Sequence, residues 1–184
     1  ENNCLAKRTV ATRKISAQRL SELYFINNTS PIFRVFRNLW ENETEKGCRI
    51  IAILCALARD PLLRVTAPVV FELEEGNELA RQTFTDALSV TADDRFNNNI
   101  LDKIVRNTAS SRSQSGHVQE KGEKVRKKVV PTAISVTFAL FLGYCTGIRG
   151  KSLIDTFWTK IFDVPSEELI YHAREAKKMG TRKP

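Results

Sequence analysis

The sequence predicts an all-α protein, a multi-helix bundle with one short β-hairpin, and three observations carry that expectation. Apolar residues recur at three- and four-residue spacing along most of the 184 positions. Pairs such as Ser30-Pro31, Asp60-Pro61 and Pro165-Ser166 open segments, and glycines such as Gly76 and Gly180 close them. No alternation of strands and helices, no internal repeat and no low-complexity tract competes with that reading. With 42% apolar and 27% charged residues, the chain has the composition of a globular protein with a real core.

The elements follow in order. Residues 1–15 read as a loose basic arm, and a polar, basic start gives no expectation of a signal peptide. Ser16 caps a helix to about residue 26 with Leu20, Leu23 and Tyr24 on one face. Ser30-Pro31 starts the next, bearing Phe33, Phe36, Leu39 and Trp40. Residues 47–59 are apolar on nearly every side, the mark of a central helix, which Asp60-Pro61 ends in favour of a short turn. Residues 66–75 read as a further helix ended by Gly76, and these elements together make an N-terminal helical part over 16–76.

Residues 77–130 form the next unit. Asn77 is the expected cap of a helix presenting Leu79, Phe84, Ala87 and Leu88. The run Thr91 to Asp94 reads as a capping box for a helix over 93–110. Gly116 then breaks the helix, and residues 118–120 and 125–130 are expected to pair as two strands around Lys121-Gly122-Glu123. Helix, turn, helix and basic hairpin in that order make a winged helix-turn-helix-like module.

The C-terminal part, 131–184, opens with the stretch whose reading bears on localisation. Between Lys128 and Arg149 stand twenty uncharged residues, long enough to span a bilayer, yet interrupted by Pro131, Ser135, Gly143 and several threonines. A helix buried on all sides and a membrane-associated segment give the same string, and the Ser/Thr/Gly content favours burial. Ser152 and Asp155 are expected to open a helix bearing Leu153, Phe157, Trp158 and Ile161, and Pro165-Ser166 the last. Four cysteines at 4, 48, 55 and 145 form no Cys-x-x-Cys pair, which suits a reduced, cytoplasmic protein and leaves a metal site without motif spacing.

Charge singles out one region. Between Lys103 and Lys128 lie eight Lys/Arg against two acids, +6 of a whole-chain +8, whereas residues 41–94 carry eleven acids and five bases. Such polarisation suits a partner that is anionic on one side, and double-stranded DNA is the expected one. On a helical wheel, Phe96, Ile100, Leu101, Ile104, Val105 and Thr108 fill one half of residues 96–110. Asn99, Lys103, Arg106 and Ser110 form a donor stripe on the other, of the types that read base edges in a major groove. Arg112, Lys121, Lys124, Arg126, Lys127 and Lys128 are the expected phosphate contacts from the segment that follows. The same basic run also suits a solvated linker, or an adaptor surface that docks onto an acidic protein without nucleic acid.

No enzymatic chemistry is expected. Residues 145–152 end like a phosphate-binding loop but carry Cys145 where the first glycine belongs, and they follow a helix. Glu167 and Glu168 are adjacent and point apart, His172 sits one turn from Glu168 as a salt-bridge partner, and His117 has no acid partner in sequence. No cofactor or metal is called for.

The stretch Asn107-Thr-Ala-Ser-Ser-Arg-Ser-Gln-Ser-Gly-His117, preceded by Ile100-Leu-Asp-Lys-Ile-Val-Arg106, resembles the winged-helix segment of small helical proteins of bacterial defence islands. The accessory proteins of bacteriophage-exclusion (BREX-type) systems are of the kind it resembles. Residues 57–64 and Glu75-Gly76 resemble the helical half upstream, so the likeness covers about residues 46–130. It implies a non-enzymatic DNA-binding or complex-assembly role beside a methyltransferase and an ATPase, with other defence proteins as partners, and it transfers no catalytic residue.

Overall fold

The computed structural model describes residues 3–24, 26, 30–92, 96–119 and 122–181, and it is mostly helical. Helix α1 (Val10–Tyr24) begins six residues before the expected Ser16, because the Thr12 N–H bonds the Thr9 hydroxyl at 3.2 Å and caps an earlier turn. The expected arm over 1–15 is therefore helical from Val10. In α2 (Pro31–Trp40) the Ser30 hydroxyl accepts the Phe33 N–H at 3.4 Å, and in α3 (Glu45–Arg59) Thr44 caps Gly47 at 3.2 Å. Asp60 caps both Leu62 and Leu63 and so starts α4 (Pro61–Val65), after which α5 (Ala67–Phe71) ends four residues short of the expected Glu75.

Further along come α6 (Arg81–Ala92), α7 (Asn98–Gln114), α8 (Ala133–Cys145) and α9 (Ser166–Thr181). The helix expected from Ser152 or Asp155 is replaced by two short 3-10 turns, Gly150–Ile154 and Lys160–Phe162. Thr156 and Thr159 explain the difference: the Thr159 hydroxyl donates to the Ile154 carbonyl at 2.8 Å and accepts the Thr156 N–H at 2.9 Å. Such side-chain bonds offer the backbone an alternative to the helical ladder.

Among the described residues two apolar cores result. The larger joins α3, α8, α9 and the 3-10 turns, with Ile51, Leu54, Val136, Phe138, Ile161 and Phe162 shielded from solvent. Residues 48–58 and 133–142 are thus mostly buried, as their lack of a polar face requires. No helix among the described residues is long and apolar enough to cross a membrane. Cys48 and Cys55 lie in or beside this core, where burial holds the Cys55 thiol up at about 12. At the start of α8, Thr132 and Ser135 bond each other's backbone N–H in a capping box. Thr132→Ala should cost about 1 kcal/mol in urea unfolding, and an unchanged midpoint would remove the cap from this account.

The smaller core gathers Val70, Leu79, Phe84, Leu88, Val105 and Val118 from α5, α6, α7 and the segments between them. Beside it lie three short extended pieces. Glu78 pairs antiparallel with Val125, and Val118 with Arg126, so residues 124–127 lie between 77–79 and 117–119. The Leu79 N–H meets the Lys124 carbonyl at 2.7 Å, Arg126 meets Asn77 at 2.9 Å, and Lys127 meets His117 at 2.9 Å. Three expectations change here. Extended pairing is not confined to 118–130, since 77–79 takes part. Asn77 does not cap α6, because that helix begins only at Arg81 and Asn77 instead pairs through its carbonyl with the Arg126 N–H. The expected strands are isolated bridges, and Glu120 and Lys121 at the tip lie outside the described residues.

Candidate nucleic-acid interface

Helix α7 is set by its own cap. Asn97 Oδ1 accepts the Ile100 N–H at 3.0 Å, so the helix starts at Asn98 and runs past the expected end to Gln114. Thr91 and Ala92 instead close α6, and Asp93 and Asp94 of the expected capping box lie outside the described residues. Val105, Thr108 and Arg112 turn inward, while Asn99, Lys103, Arg106 and Ser110 are exposed along the opposite side. Arg81 of α6 reaches Asp102 at 2.7 Å, which ties the two helices at the edge of that stripe.

After α7, Gly116 and Gly122 take φ of +86° and +77°, conformations that glycine adopts without a Cβ clash. They reverse the chain so that Lys124 comes back over α7, its Nζ donating to Ser113 Oγ at 3.2 Å. Ser113 follows Arg106 by seven residues, which is about 20° around the helix and roughly 10 Å along it. The returning segment therefore lies at the C-terminal end of the exposed stripe, on the same face. Lys127 is exposed, and Lys124 is half-buried against α7.

The expected phosphate contacts divide sharply. Arg112 and Arg126 are wholly shielded from solvent, so neither meets a phosphate in this conformation. Their positions follow from geometry absent in the sequence: Arg112 lies on the inner face of α7, and Arg126 is the inward residue of the middle extended piece. Arg112 Nη2 donates to the Leu63 carbonyl at 3.1 Å and its guanidinium stands 5.1 Å from the centre of the Phe71 ring. Its Nε and Nη1 are buried without a partner among the described residues, and burial, with Arg126 nearby, brings its pKa down to about 9. Arg126 is better served. Its Nε donates to the Val70 carbonyl at 2.7 Å and its Nη1 reaches the carbonyls of His117 and Lys127, while Nη2, buried without a hydrogen bond among the described residues, has Asp163 Oδ2 at 3.7 Å.

Comparison with protein-family models, curated proteins and solved structures gives no match to this chain.

Lys128 is also engaged, with its Nζ 3.3 Å from Asp163 Oδ2 and its N–H on Glu75 Oε1 at 3.1 Å. Lys121 lies outside the described residues. Among the described residues, Asn99, Lys103, Arg106 and Ser110 line the exposed side of α7, Lys124 sits at the end of that stripe, and Lys127 is exposed on the returning segment. His117, for which the sequence offers no acid partner, is a structural residue between the two buried arginines. Its Nε2–H donates to the Ile161 carbonyl at 3.1 Å, leaving Nδ1 to the Ser115 hydroxyl at 2.8 Å. Burial first, then Arg112, brings its pKa down to about 3, so the ring is neutral. His172 stands 4.0 Å from Glu168, and among the described residues no three His, Cys, Asp or Glu gather as a metal-binding group.

Proposed function

We propose that this chain binds double-stranded DNA without acting on it chemically, α7 facing the groove and the basic turn lying on a phosphate backbone. One observation carries the reading: the bond from Lys124 to Ser113 sets the turn beside the same line of α7 that bears Arg106. A cationic segment and a stripe of base-reading donors on one face is what groove recognition requires, because phosphates fix the register and base edges supply the sequence. The order of elements supports it. An extended piece at 78, helices α6 and α7, and pieces at 118 and 125–126, the last lying between the other two, follow the order of a winged helix-turn-helix. On this reading α6 is the supporting helix and α7 the recognition helix. A place in a bacterial defence system, beside a methyltransferase and an ATPase, is the setting the resemblance implies.

The acids around the turn favour a second reading. Glu75 and Asp163 already bond Lys128, so carboxylates suit this segment as well as phosphates, and an adaptor docking onto an acidic protein would use the same surface. Anisotropy of a labelled random duplex across salt separates the two. Under the DNA reading log K falls linearly with log salt, and Lys127→Gln flattens the slope by about 0.9. Arg106→Ala should cost about 1–3 kcal/mol on a selected sequence and relax discrimination there. No shift of duplex at physiological salt, with capture of an acidic partner instead, gives the surface to the adaptor.

A further inference from the structure

We infer that Asp163 is a positioning residue for the basic turn, and that its ion pair keeps Lys128 out of the phosphate-contacting set; this rests on the duplex-binding reading. Asp163 comes from the C-terminal half, at the end of the second 3-10 turn, in a left-handed conformation with φ +50°. A non-glycine residue holds that conformation where its surroundings fix it. One carboxylate oxygen serves two cations, Arg126 Nη2 at 3.7 Å and Lys128 Nζ at 3.3 Å. Residues two apart on an extended chain face the same side, which is why both reach it. The same turn holds the other arm of the unit, since the Ile161 carbonyl accepts His117 Nε2 at 3.1 Å. Residues 117 and 126–128 are thereby fastened to the larger core, and Lys124 beside them is held against α7.

That fastening has a consequence for charge. A phosphate approaching Lys128 meets Asp163 on its ammonium and Glu75 on its backbone N–H, and like charges at such distances repel. Lys127 points to the opposite side of the chain and is exposed. Two neighbouring lysines of one sequence run should therefore differ in their effect on DNA.

Two measurements decide it. In duplex titrations across salt, Lys128→Gln should leave the slope of log K unchanged while Lys127→Gln lowers it by about 0.9; equal lowering by both overturns the withholding of Lys128. In hydrogen exchange on the full chain without DNA, Asp163→Asn should speed exchange about tenfold at the amides of Gln119, Arg126 and Lys127, with Leu54 of α3 unaffected. Unchanged protection at those three amides overturns the positioning role. Should Asp163→Asn fail to fold, Asp163→Gly removes the carboxylate while easing the left-handed backbone at φ +50°, and exchange is read on that variant. The exchange arm needs no DNA. A wild-type chain that ignores duplex therefore ends the functional reading, overturns the withholding of Lys128, and leaves the exchange result to decide whether Asp163 positions the turn.

Discussion

Arg112→Met is expected to raise the stability of the fold by about 1–4 kcal/mol, and Arg126→Met to lower it, although both side chains are fully buried. Removing a guanidinium from water costs several kcal/mol, which hydrogen bonds and a counter-ion must offset. Arg112 donates to the Leu63 carbonyl and rests on the face of Phe71; two of its nitrogens have no partner among the described residues. Methionine fills a similar volume, keeps contact with the ring and brings no charge. Arg126 donates to the carbonyls of Val70, His117 and Lys127 and stands beside Asp163. Each carbonyl left without a donor costs roughly 1–3 kcal/mol. Burial depresses both pKa values, but Asp163 and then Glu75 act against the shift at Arg126, whereas Arg126 deepens it at Arg112. The folded pKa of Arg112, about 9, lies below the unfolded value near 12.5. The cost is therefore full at pH 7 and is relieved only as pH rises through 9. Urea midpoints of the two variants at pH 7 test the contrast; a loss for Arg112→Met as large as that for Arg126→Met would sink it.

The same two arginines mark where the sequence is readable and where it is not. Helices α2, α3, α4 and α8 are visible through Ser30-Pro31, the apolar run 47–59, Asp60-Pro61 and the uncharged stretch after Pro131, because caps and periodicity are local signals. The stripe Asn99, Lys103, Arg106 and Ser110 is equally visible, since helical spacing alone sets which residues share a side. Residues 77–79 escape detection as a pairing segment because three residues with one buried side chain, Leu79, show no alternation. The start of α7 falls too early in the sequence reading because Thr91 and Asp94 mimic a cap, while Asn97 makes the bond. Arg112 and Arg126 read as surface cations because burial of a charge depends on partners 49 and 56 residues away, the Leu63 and Val70 carbonyls. A basic run reports net charge, and only the fold decides which members reach solvent.

His117 should make the fold sensitive to mild acid. In the folded chain the ring is buried between two cationic guanidiniums, and its pKa lies at about 3. In the unfolded chain it is near 6.5. Between those values the unfolded state binds a proton that the folded state refuses, so stability rises with pH there. The contribution is complete above about 6.5 and is lost as pH falls, at up to about 1.4 kcal/mol per unit. By pH 5 that amounts to roughly 2 kcal/mol, a large part of the margin of a small domain. Carboxylates titrate mostly below about pH 5 and would add to the loss only there. The variant His117→Gln retains a donor for the Ile161 carbonyl, and its side-chain amide cannot take up a proton. It should therefore be less stable than the wild type at pH 7 yet lose little between pH 7 and pH 5. Urea unfolding of both chains at pH 7, 6 and 5 gives the comparison. Parallel declines would mean that His117 is protonated in the folded chain and that the two guanidiniums do not govern it.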